Sequence, residues 1–189
     1  MMNNPTGPFL GSRKVHWILV AFVLGAMTAC SPRIVAEGVH TTLPDQGTVV
    51  GVWGTHPTVE HTAILWLRKR GLRVMDPAEI RTNLTHGSTT SLASNEESIL
   101  EVAEKSGLSE IVFVRLVGDQ RAPGVLVRAV TVPDRQVAWV GNARYDSYVS
   151  TPTVNHLIVA TCRAMAAAWR LESLSDRSRC VLDQNESHS

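Results

Sequence analysis

The chain has no apolar run long enough to cross a bilayer. Its longest, from Val15 to Ala26, is confined by the 15 residues between Lys14 and Cys30 and is weakened by His16 and Gly25. A spanning helix takes about 20 apolar residues. Aromatic residues are only 5% of the chain, too few to stack successive bases. No basic block is present, so phosphate-driven nucleic-acid binding is excluded. Cysteine is scarce: Cys30, Cys162 and Cys180. Catalytic signatures are missing as well. There is no Gly-x-Ser-x-Gly elbow and no His-Glu-x-x-His helix, and Gly51-Val52-Trp53-Gly54 lacks the spacing of a phosphate-cradling loop.

What is present at the N-terminus is an address. Residues 1–14 are polar, contain no acid and end in Arg13-Lys14. An apolar segment follows and closes on the small residues Gly25-Ala26-Met27-Thr28-Ala29 before Cys30-Ser31. Charged segment, apolar segment and small-residue site are the parts of an exported leader. Removing residues 1–29 takes Arg13 and Lys14 with it and moves the formal net charge from +1 to −1. The remaining 160 residues suit one domain, large enough to bury roughly two-thirds of its unfolded surface without a metal. In an oxidising compartment Cys162 and Cys180 are available to each other.

Residues 30–46, with two prolines and no sustained period, read as a lipidated start and flexible tether. Residues 47–171 read as the folded domain and residues 172–189 as a polar tail. Within the domain, Thr48–Trp53 is a β-branched strand. Val59, Ala63, Trp66 and Leu67 line one face of a helix that begins after Pro57 and stops at Gly71. Leu72–Met75 is a short strand. Asp76-Pro77 opens a second helix and Ser94-Asn95-Glu96-Glu97 a third. Ile111–Val117 is a strand covered on both faces. Val125–Val132 and Val137–Asp146 alternate as an antiparallel hairpin. A last helix over 153–171 presents Val154, Ile158, Cys162, Met165 and Trp169. The expected fold is α/β, a single-domain sandwich with a mixed sheet of about five strands and three to four helices.

Two resemblances follow from these residues. Met27-Thr28-Ala29-Cys30 resembles the lipobox of bacterial lipoproteins, with Met27 where Leu is usual. The resemblance implies cleavage between Ala29 and Cys30 and acylation of Cys30. Ser31 after the cysteine resembles outer-membrane sorting. The element order, with Leu67-Arg68-Lys69-Arg70-Gly71-Leu72-Arg73-Val74, Glu104-Lys105-Ser106-Gly107 and Ile111-Val112-Phe113-Val114, resembles a periplasmic domain. That domain is shared by the curli-secretion channel lipoprotein, the penicillin-binding-protein activator lipoprotein and the TolB N-terminal domain. The resemblance spans about residues 47–171. It implies an adaptor, assembly factor or channel subunit without an active site. Only one hairpin, Val125–Tyr145, is present, so a channel is not expected.

The residues that carry chemistry leave little else. His56 and His61 in His-Pro-Thr-Val-Glu-His stand five apart across Pro57, the wrong spacing for paired ligands on a helix. Serines and threonines between 85 and 94 read as a solvated loop. Cys162, on the presumed core face, is either a small buried hydrophobe or the disulfide partner of Cys180. The expected function is a non-enzymatic, lipid-anchored outer-membrane protein whose domain faces the periplasm. It takes no cofactor or metal and binds an envelope protein or its own copies. Contact is expected at the Thr85–Leu92 loop or an exposed hairpin edge. The alternative is a periplasmic hydrolase or small-ligand-binding lipoprotein with a site assembled from distant residues.

Overall fold

A computed structural model describes residues 33–87, 95–118, 123–146 and 153–171. All of them belong to one compact unit that begins at Arg33. The leader, Cys30, the core of the 85–92 loop and the tail with Cys180 lie outside the described residues.

Ten elements follow in order: β1 (Arg33–His40), β2 (Val49–Gly54), α1 (Pro57–Lys69), β3 (Arg73–Val74), α2 (Pro77–Gly87), α3 (Glu96–Lys105), β4 (Glu110–Val117), β5 (Gly124–Thr131), β6 (Val137–Asp146) and α4 (Val154–Ala168). The strands form one mixed sheet in the order β1-β6-β5-β4-β2-β3. β2 is parallel to both β3 and β4, and the other pairs are antiparallel. The fold is therefore α/β as expected, with six strands and four helices.

The sixth strand corrects the tether reading. Arg33–His40 is not linker. It pairs along its whole length with β6, from Arg33↔Asp146 to His40↔Trp139. Its own sequence hides this: Ile34, Ala36 and Gly38 alternate with Val35, Glu37 and Val39, a pattern too mixed to mark a strand until β6 is beside it.

Helices on both faces create two cores. α1 and α4 pack on Val50, Val52, Val112, Val114, Val125 and Val127. α2 and α3 pack on the opposite face against Ile111, Phe113, Val130 and Val132. The alternation in β4 sends Val112 and Val114 to one core and Ile111 and Phe113 to the other, so this strand is central and covered on both sides.

Helix ends follow local chemistry. His56 caps α1 by accepting from the Thr58 N–H at 3.2 Å. Gly71, at φ +79°, supplies the left-handed turn after α1. Asp76 caps α2 through the Ala78 N–H at 2.8 Å. The cap of α3 is Asn95, accepting from the Glu97 N–H at 2.7 Å.

α4 buries most of its expected face: Cys162 and Met165 are buried, and Ile158 and Trp169 pack against the core. Val154 is 61% exposed, whereas Leu157, Ala160, Thr161, Ala164 and Ala168 are buried. Trp169 turns toward α1, where it meets Trp66. The sheet-facing stripe is made of alanines because the helix lies almost on the strand backbone. Gly38 and Gly141 are cross-strand partners. A Cβ on Gly141 would overlap the Ala164 carbonyl, and one on Gly38 would overlap the Ala167–Ala168 backbone.

Gly141→Ala should therefore destabilise the domain by about 2–3 kcal/mol. Val140→Ala, half-buried one residue earlier in β6, should cost under about 1 kcal/mol. Urea-unfolding midpoints compare them, and equal shifts would rule out the close approach.

Candidate functional site

Three places in the fold gather polar chemistry. The first is the crevice at the C-terminal ends of β2 and β4. α1 leaves β2 over one face, whereas α2 and α3 return to β4 over the other. Open α/β sheets bind ligands at such a switch point. Here the protein fills it with its own side chains. Glu60, only 8% exposed, accepts from the Gly54 N–H at 2.8 Å and pairs with Arg81 at 2.5 Å. The Arg81 guanidinium lies over the Trp53 ring at 5.1 Å. Gly54 must lack a side chain because Glu60 Cβ would stand 2.6 Å from it.

The histidines of this region do not converge. His56 is engaged as the α1 cap, and His61 is exposed. Among the described residues no three His, Cys, Asp or Glu side chains gather as metal ligands. Further along the sheet, Glu96 pairs with Arg128 and, at 3.5 Å, with Arg115.

The second place was not legible in the sequence. Glu110 opens β4 and is 4% exposed. Burial pushes its carboxyl up to about 7, with the nearby Trp139 indole partly offsetting the rise. Glu110 Oε1 and Trp139 Nε1 nevertheless fall short of a hydrogen bond, and Trp169 Nε1 is likewise buried without a partner. Trp139 and Trp169 meet edge-to-face at 6.0 Å, and Trp169 meets Trp66 at 5.0 Å. A carboxyl at the head of an apolar strand gives no sign of its burial. That burial arises when β6 lays Trp139 against it. Enclosed in this way, Glu110 has no approach for a substrate.

The third place is open. The outer edge of β1 and the last turns of α4 form a groove of about 650 Å³. Ile34, Ala36, Leu171 and Ala166 supply its apolar lining, and Glu37, Arg163 and Arg170 its charges. Arg163 donates to the Ile34 carbonyl at 3.0 Å, while its Nε is buried without a partner. His40 Nδ1 lies 2.9 Å from the Ala168 carbonyl and ties the far end of β1 to α4.

The expected hairpin edge is absent from the surface. β5 and β6 pair as expected, but β4 covers β5 and β1 covers β6. β1 takes the edge position instead. Cys162 is 2% exposed and disulfide-bonded, and Cys180 lies outside the described residues.

No protein-family model matches the chain, and no curated protein is significantly similar to it. Solved structures are similar in chain course. The LpoB C-terminal domain from Salmonella enterica is 13% identical at a TM-score of 0.46, covering 53% of this chain and 84% of that one. PelC from Paraburkholderia phytofirmans, solved as a dodecamer, is 14% identical at 0.45, covering 74% and 97%. TolB from Acinetobacter baumannii, a protein named in the sequence resemblance, is 14% identical at 0.38, covering 74% and 31%. Among the described residues no helix is long and apolar enough to cross a membrane.

Glu110 gives a pH dependence with a definite sign. Its folded value of about 7 lies above the unfolded 4.5. Between these values the unfolded chain releases the proton first, so stability falls as pH rises, and the full cost is present above about 7. The cost is about 3 kcal/mol. Glu110→Gln should remove most of the loss between pH 5 and pH 8 in urea unfolding. A variant that keeps the wild-type slope would place the proton elsewhere.

Proposed function

We propose that this chain is a lipid-anchored outer-membrane protein whose domain faces the periplasm. It acts as a non-catalytic adaptor or assembly factor for another envelope protein or for its own oligomer. The leader is cut between Ala29 and Cys30, Cys30 carries the lipid, and Cys180 is the partner of Cys162. One observation carries the contact role. The crevice where an α/β sheet would take a small ligand is filled by the Glu60–Arg81 pair, while the edge strand β1 lies open beside a groove.

An open strand edge binds through main-chain hydrogen bonds, and pockets beside it read alternate side chains of the added segment. The groove offers both parts, with apolar walls and the charges of Glu37, Arg163 and Arg170. Anchoring raises the effective concentration of this edge near membrane partners. No cofactor enters the reading. Catalysis has no support here, because Glu110 is enclosed and His56 and His61 point to different tasks.

A photo-crosslinking residue at Glu37 in the lipidated chain, in cells, should trap an envelope protein or a second copy. The same probe at Glu101, exposed on α3, should trap neither. Silence at Glu37 would sink the contact role. Separately, Cys30→Ala should accumulate uncleaved precursor and lose acyl labelling. Label retained in that variant would refute the anchor.

A further inference from the structure

We infer that the domain rests directly on the bilayer, with the switch-point end of its sheet turned toward the lipid. The inference rests on the anchor at Cys30 and goes beyond it. β1 begins at Arg33, so only Ser31 and Pro32 separate the lipid-bearing residue from the first strand. Three Cα steps span at most about 11 Å. The tether read over residues 30–46 is cut short, because Arg33–His40 is an edge strand held along eight residue pairs.

The register then decides which end faces the membrane. Arg33 is paired with Asp146, the last residue of β6. Two pairs in, Val35 faces Arg144, Arg144 faces Gly124, and Gly124 faces Val117. The end of β4 therefore lies at the anchored end, and β2, parallel to β4, also terminates there. α4 starts at this end, because Tyr145, the partner of Ile34, donates to the His156 carbonyl. Leu116, at 38% exposure, and Val154, at 61%, are its exposed large apolar groups beside Val35.

At the opposite end stand Val39, Leu43 and Val137, the last 44% exposed. Among the described residues apolar exposure is thus similar at the two ends, and chemistry alone does not choose between them. The short covalent link chooses. The ends lie about 30 Å apart along the ten residues of β6, so they are distinguishable by depth. The β1 groove then runs away from the bilayer, and a partner reaches it from the side.

The test uses the full matured lipoprotein in vesicles containing lipid spin-labelled at the headgroup. A fluorescent amino acid replaces Val154, Leu116 or, as control, Val137. Quenching should be several-fold stronger at Val154 and Leu116 than at Val137. A Gly/Ser spacer of about 16 residues between Pro32 and Arg33 should leave the chain on the vesicles and level the three signals. Equal quenching without the spacer, or stronger quenching at Val137, would overturn the orientation while leaving the anchor intact. Unchanged preference with the spacer would overturn the role of the short link. A chain that fails to float with vesicles overturns the anchor reading and this inference with it.

Discussion

The backbone of α4 lies against the paired glycines Gly38 and Gly141, and the placement of the sheet edge depends on that contact. A helix normally stands off a sheet by the depth of two side-chain layers. Here one layer is missing. Ala164 and Ala168 meet strand positions that have no side chain, so α4 sinks onto β6 and β1 together. The contact holds β1 in the sheet, since β1 has only β6 as a strand partner. It also carries the end of α4 over the sheet, where Trp169 closes on Trp66 and Trp139.

That tryptophan cluster has a cost. Glu110 is enclosed beneath it with an unpartnered carboxylate oxygen, and burying a carboxyl this way favours its neutral form. Glu60 shows the contrasting arrangement. It is almost as buried, but the Gly54 N–H and Arg81 satisfy it, so it closes the strand-end crevice as a finished piece of structure. The two acids divide the interior into a place where a carboxylate has hydrogen-bond partners and a place where charge is disfavoured.

On the surface, the sheet edge is the distinctive feature. Natural sheets usually blunt or cover an edge strand. β1 is partly blunted, by Arg163 reaching the Ile34 carbonyl and by Glu37 on its outer face. The groove under α4 remains open beside it.

Much of the fold was legible in the residues. β2, β4, the β5–β6 hairpin and all four helices follow from apolar periodicity, caps and stop signals, which act over a few neighbours. The leader and Cys30 reading also rests on charge, apolar length and small residues along the chain, and it falls outside the described residues. What the local pattern did not contain was pairing over long separations. β1 looked like linker because a strand of small and mixed residues is stabilised by β6, more than 100 positions away, and by a helix that tolerates only glycine beneath it. The close approach of α4 to the sheet was not read, because large side chains mark where a helix packs at normal depth, whereas alanines opposite glycines mark where it packs closer. Glu110 was invisible because burial belongs to the assembled sheet. The sequence by itself determined most of the elements. The tertiary structure alone decided which edge is open and which acids are enclosed, because each of these depends on contacts between segments that are far apart along the chain.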